Sequence, residues 1–353
     1  MNALYRRVLK PILFKMHPDT AHEIFITIGE FAGRFGISRW LFGLFYNYRG
    51  ADISKIIDGI KYRTPILLSA GFDPDGQLTR ISPSLSFGGE EIGSITAHAS
   101  DGNPRPHFTR LIRNKSIVVY KGLRNHGVDA LISKLSHTTR VPNFVLGVSI
   151  ARTNEKSAST VETGIADYVE SFKKLNEAGI GDYYAINISC PNAHTGETFT
   201  NPKLLAQLLP RLREIKCTKP VYLKMPIHIS WEQFSELLAI ADKNNINGLI
   251  IGNVNKNYNN LKYPEDAPKE FRGGLSGAVC FELSNELIRK TRAEYGARFT
   301  IIGVGGIMSA DDAMEKFAAG ADLIQLISGM IFEGPGLIKS ICERYAKEKG
   351  LTK

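Results

Sequence analysis

The sequence predicts an α/β fold, a closed (β/α)8 TIM barrel with an N-terminal amphipathic helical extension. Three observations predict it. Short apolar runs alternate with helical segments from about residue 60 onward, eight such runs occur, and polar or glycine-rich residues gather at their C-terminal ends.

The runs cover 66–69, 91–95, 144–150, 183–189, 221–225, 248–252, 299–304 and 323–327. Near-continuous apolar strands separated by helices imply a parallel sheet covered on both faces. Eight strand–helix units favour closure over an open sheet. An open dinucleotide-binding sheet would carry a GxGxxG turn after its first strand, and none stands there.

Residues 1–50 read differently, as an extension to the barrel of residues 51–353. Ile24, Phe25, Ile28, Phe31, Ala32 and Phe35 recur at helical spacing. A second helix is expected from Ser38 as N-cap, through Trp40, Leu41, Phe42, Leu44 and Phe45. Arg6, Arg7, Lys10, Lys15, Arg34, Arg39 and Arg49 border these apolar segments. That pattern suits a helix pair lying on a membrane surface, and equally a helical cap packed on the main domain.

The 353 residues are 43% hydrophobic and 22% charged, which excludes a disordered chain. The net charge of +9 comes from scattered Lys and Arg. It implies a basic solvated surface or attraction to acidic membranes, and no nucleic-acid module accompanies it. The four cysteines, Cys190, Cys217, Cys280 and Cys342, form no CxxC pair and show no metal spacing. They fit a reducing, intracellular setting rather than a disulfide framework. Lys10, Pro11 and Lys15 break the first apolar run, so it does not read as a secretory signal, and no apolar stretch is long enough to span a bilayer.

In a barrel the chemistry sits at the C-terminal ends of the strands. Gly305-Gly306 ends the seventh run and Ser328-Gly329 the eighth. Either pair alone reads as a tight turn. Together, on neighbouring loops, they form a cup whose backbone N–H groups suit a phosphate. Lys224 ends the fifth run, where a lysine points into the mouth of the barrel. The segment Asn187-Ile188-Ser189-Cys190-Pro191-Asn192 follows the fourth. Its asparagines can read the donors and acceptors of a planar amide ring. Its cysteine can act as a base if neighbouring cations lower its pKa, or can be a structural core residue.

These residues, with Met16-His17-Pro18-Asp19-Thr20-Ala21-His22, Ser69-Ala70-Gly71-Phe72-Asp73, Gly102-Asn103-Pro104-Arg105-Pro106 and Gly273-Gly274-Leu275-Ser276-Gly277, give the chain its resemblance to a known family. It resembles the dihydroorotate dehydrogenases along nearly its whole length, and most closely their membrane-associated, quinone-using class. The resemblance implies FMN as cofactor, with Ala70, Ser94, Ser149, Asn187, Lys224 and Gly277 along the flavin ring and ribityl chain. It implies Gly306, Ser328 and Gly329 at the phosphate, Asn187, Asn192 and Asn253 on the pyrimidine, and Cys190 as catalytic base. It also implies a quinone acceptor, a small-molecule substrate, and a peripheral membrane contact through the N-terminal helices. The corresponding location is the inner face of the cytoplasmic membrane, or the cytoplasm.

The chain departs from the family pattern at defined positions. Cys190 stands where the quinone class usually has serine. Pro74 replaces a lysine, Val119 an asparagine and Val254 a threonine, all expected at the substrate; Ser149 and Ile327 replace an asparagine and a tyrosine on the flavin side. An unpaired buried polar group costs about 1–3 kcal/mol. Three readings follow: a dihydroorotate dehydrogenase with a rearranged carboxylate clamp, a paralogue acting on a related dihydropyrimidine or enone without the carboxylate, and a flavin-binding scaffold without catalysis.

Overall fold

The computed structural model describes residues 4–189, 198–269 and 273–351; Cys190 and Asn192 lie outside the described residues. Eight parallel strands close into a barrel: Ile66–Leu68, Gly89–Ile95, Val145–Ile150, Tyr183–Asn187, Val221–Met225, Gly248–Ile251, Thr300–Val304 and Leu323–Leu326. They follow one another in chain order, and the last pairs with the first through Ile324↔Ile66 and Leu326↔Leu68. All eight expected runs are strands, and the TIM barrel is the fold.

The barrel interior is layered. Leu67, Val145, Tyr183, Tyr222, Ile250, Ile302 and Leu323 fill its lower part, with Tyr62 packed among them. Tyr62 arrives on a short hairpin, Lys55–Ile57 with Ile60–Tyr62, that sequence periodicity did not single out. Outside, helices such as Val161–Glu177, Pro202–Arg213 and Trp231–Lys243 bury their apolar stripes against the strands. Thr160 and Ser230 cap two of them, accepting from the backbone N–H of Thr163 and Gln233.

A second small sheet was also not anticipated. Phe108–Leu111, Ser116–Val119 and Gly274–Gly277 pair antiparallel. Strands of four residues carry too little alternation to stand out from a loop. This sheet carries Val119, whose side chain reaches the main cavity described below.

The N-terminal extension contains the helices Pro18–Arg34 and Gly36–Tyr46. The second helix starts two residues before the expected cap. Ser38 lies inside it and donates to the carbonyls of Ala32 and Phe35, closing the preceding helix instead. Ala21, Ile26 and Ala32 are buried against the barrel. Asp19 pins the extension, accepting from the backbone N–H of His107 and of Phe108, each at 3.0 Å. The other face leaves Ile28, Phe31, Ile37, Trp40, Leu41 and Phe45 exposed. The extension thus packs on the barrel as a helical cap and leaves an apolar face uncovered. No helix among the described residues is long and apolar enough to cross a membrane.

Candidate active site

A cavity of about 420 Å³ opens at the C-terminal ends of the strands and continues beneath the N-terminal helices. Ala70, Ser94, Asn187, Lys224, Asn253, Gly306, Ser328 and Gly329 all line it. Ser149 sits one step behind the wall, its Oγ 2.8 Å from that of Ser94. Gly277 is likewise off the wall, next to Ser276, which does line it. Cys190 and Asn192 are not described, but the strand that leads to them ends here, with Asn187 and Lys224 side by side in register.

Lys224 is buried and pairs with Glu91, Nζ to Oε1 at 3.2 Å. Glu91 is fully buried and also accepts from Gln325 Nε2 at 2.8 Å and Tyr183 Oη at 3.1 Å. One carboxylate thus takes three donors, the condition under which a buried ion pair is tolerated. The lysine is held at the cavity floor by this pairing, with further N–H groups available. Sequence reading found Lys224 but missed Glu91 as its anchor, because a carboxylate on a barrel strand has no motif of its own.

The amide groups form one connected chain. Asn187 Nδ2 donates to Ser94 Oγ at 2.8 Å, and Asn253 Nδ2 donates to Ser189 Oγ at 2.6 Å. Ser189 Oγ in turn donates to the carbonyl of Lys224 at 3.1 Å. Adjacent strand ends are therefore tied together by side chains that all face one opening.

At the other end, Gly305 and Gly306 have φ of +107° and +76°. A Cβ on Gly306 would stand 2.4 Å from Phe281 Cβ, and one on Gly329 would stand 2.0 Å from the Ile307 carbonyl oxygen. Gly306 is packed against the start of the helix Phe281–Tyr295 and Gly329 against the loop that follows Gly306, so neither position has room for a side chain. Ser328 Oγ lies 3.0 Å from Ser276 Oγ beside them. At Gly71, by contrast, a Cβ would meet nothing within 4 Å. An open slot beside Ala70, a buried cation and a two-loop glycine cup fit the ring and the phosphate of a flavin nucleotide. Gly306→Val is expected to lower the flavin content of purified protein at least about 10-fold, read by absorbance, since the clash and the left-handed φ each oppose it.

Toward the helices the wall becomes apolar, with Leu13, Phe14, Ala21, Phe25 and Ile28. Three polar groups interrupt it. His22 Nε2 lies 2.7 Å from the Phe72 carbonyl oxygen, and burial lowers its pKa to about 4, so the ring is neutral at physiological pH. Arg110 lies over Phe14 and donates to the Met16 carbonyl at 2.8 Å. Lys121 has its pKa lowered to about 8 by burial, with Asp75 opposing the shift.

The three departures Pro74, Val119 and Val254 share this cavity wall with Lys121 and Arg124. The three losses and the two cations therefore line one and the same cavity. Sequence alone did not reveal where either cation points.

The profile of the family described as dihydroorotate dehydrogenase matches residues 53–348. A dihydroorotate dehydrogenase (quinone) of Christiangramia forsetii is 33% identical over 353 residues, 99% of this chain and 100% of that protein. One of Brucella melitensis is 34% identical over 81% of this chain and 78% of its own. Among solved structures, the Eimeria tenella enzyme in complex with ferulenol shares the fold at a TM-score of 0.80 and 21% identity, covering 95% of this chain and 93% of that one. The chain belongs to the dihydroorotate dehydrogenase family, in its quinone-dependent class of flavin oxidoreductases acting on a CH–CH bond.

Proposed function

We propose that the chain oxidises dihydroorotate to orotate with FMN and passes the electrons to a quinone. One observation carries the proposal: the glycine cup, Lys224, the asparagines and the apolar helix-lined wall all belong to a single cavity. Bound FMN would supply the two-electron acceptor for hydride leaving the substrate. Gly306, Ser328 and Gly329 would hold its phosphate, and Ala70, Ser94 and Asn187 its ring and ribityl chain, with Ser149 and Gly277 supporting from behind. Lys224 would set its ammonium group beside the ring and favour the extra negative charge that the ring takes up on reduction. Asn187, Asn192 and Asn253 orient the pyrimidine amides, and Cys190 takes the proton from the adjacent substrate carbon. The apolar half admits the quinone, and the exposed helix face rests on the membrane that carries it. Residues 1–50 act as the acceptor-side unit and 51–353 as the flavin unit, and the protein is peripheral to the inner face of the cytoplasmic membrane.

The test is orotate formation with a short-chain quinone, measured with and without residues 1–50. Flavin reduction by dihydroorotate is expected to survive truncation while quinone turnover falls by at least about 10-fold, the loss of a ligand's apolar contacts. Unchanged quinone turnover by a folded barrel contradicts the acceptor assignment.

The substrate carboxylate takes Lys121 as its counter-ion, replacing the cation missing at Pro74. A charge-assisted hydrogen bond contributes about 1.5–3 kcal/mol, so Lys121→Met is expected to raise KM for dihydroorotate about 10–100-fold with a smaller change in kcat. The sign of the pH effect follows from the lowered pKa. Lys121 is charged below about pH 8 and loses its proton above it. KM should therefore be flat at lower pH and rise through pH 8, and Lys121→Arg should remove that rise. A KM indifferent to Lys121→Met sinks this assignment.

A further inference from the structure

A second cavity, of about 220 Å³, shares no lining residue with the first. Arg39, Arg49, Arg63 and Arg80 line it, with Trp40 and Asn47. It lies between the helix Gly36–Tyr46 and the segments that lead into the first barrel strands, away from the strand C-termini where the flavin site opens.

Three of its arginines are set in place by neutral groups. Arg63 donates to Asn47 Oδ1 and to the Pro83 carbonyl, each at 2.7 Å, and Arg39 donates to the Gly33 carbonyl at 2.7 Å. Arg49 reaches the Gly43 carbonyl at 3.4 Å. Among the described residues none of the four pairs with a carboxylate. Guanidinium groups do not lose their charge at physiological pH. Four of them around one hollow repel each other and call for an anion to share. The planar fork of each matches phosphate oxygens in a bidentate manner.

The surroundings indicate which phosphate. Trp40 is 57% exposed at the rim, and Ile37, Leu41 and Phe45 are exposed on the same helix. On an interfacial helix the apolar side chains enter the acyl region, and the basic border then lies at headgroup depth. The chain's net charge of +9 favours the same partner.

We propose that this four-arginine cavity binds the phosphate of an anionic phospholipid headgroup, a lipid site separate from the acceptor channel. The proposal rests on the membrane-facing reading of the N-terminal helices and adds to it a discrete, charge-selective site.

The test uses the full-length, flavin-loaded chain, with two kinds of vesicle: phosphatidylcholine alone, and phosphatidylcholine mixed with phosphatidylglycerol. Arg49→Gln/Arg80→Gln removes two charges while leaving Arg63 and Arg39 in their hydrogen bonds. Flavin content and turnover with a short-chain quinone in detergent serve as the folding control, and both should be unchanged. Each basic residue near an anionic surface contributes about 5-fold, so binding to mixed vesicles should fall about 10–30-fold. Binding to phosphatidylcholine alone should stay the same. Equal binding of the two proteins to mixed vesicles overturns the proposal while leaving the membrane reading intact. Failure of the parent protein to bind either vesicle overturns both. Trp40 fluorescence supplies a further arm: a response to inorganic phosphate as strong as to mixed vesicles would assign the site to free phosphate and overturn the lipid assignment.

Discussion

Lys224→Met is expected to slow flavin reduction by dihydroorotate by about 10²–10³-fold, the range found when one preorganised charge or donor is removed from a site of developing negative charge. It should also destabilise the fold. Glu91 is fully buried, and its ammonium partner stands 3.2 Å away. Removing one member of a buried pair typically costs about 3–5 kcal/mol, because the other charge is left without compensation. Gln325 and Tyr183 still donate to Glu91, which places the loss toward the lower end. The two effects separate in a double variant. Lys224→Met/Glu91→Gln removes the stranded charge, so thermal stability should recover while flavin reduction stays slow. Recovery of both would reduce Lys224 to a structural role.

Cys190→Ala is expected to lower the rate of flavin reduction by about 10²–10⁴-fold, the contribution of a positioned general base. Orotate affinity should change little, since binding relies on the asparagines. Ser189 is fixed on both sides, through Asn253 Nδ2 at 2.6 Å and through the Lys224 carbonyl at 3.1 Å. The chain therefore leaves the barrel between the proposed flavin cation and a proposed substrate amide. Cys190→Ser should keep part of the rate and shift its pH dependence upward, because a hydroxyl gives up its proton less readily than a thiol. A rapid-mixing rate unaffected by Cys190→Ala would assign proton removal to another group.

The barrel was legible because its signal is repeated. Each of eight strands announces itself by a short, largely apolar run, and their ends carry the glycine and polar residues that a closed parallel sheet collects on one face. The site residues Lys224, Asn187, Gly306 and Ser328 inherit their positions from those strand ends, so they too could be read. Short elements could not. The antiparallel sheet that carries Val119, and the hairpin that delivers Tyr62, are three or four residues per strand, below any periodicity. Ser38 looked like an N-cap and is one by type, but the chain turns two residues earlier and uses its hydroxyl on the preceding helix. Glu91 and Lys121 are tertiary facts. One becomes an anchor only when a lysine from a distant strand meets it, and the other faces the cavity only because its loop follows the small sheet. The same holds for the four arginines, which are spread from residue 39 to residue 80 and meet only in the fold.

We propose that this cavity oxidises dihydroorotate on a bound flavin despite Pro74, Val119 and Val254. The most direct measurement mixes the purified, FMN-loaded protein with dihydroorotate under anaerobic conditions and follows the flavin absorbance. The oxidised band should bleach with stoichiometric orotate, and Cys190→Ala should respond slowly or not at all. A flavin that dithionite reduces but that stays oxidised with dihydroorotate in large excess would contradict the proposal.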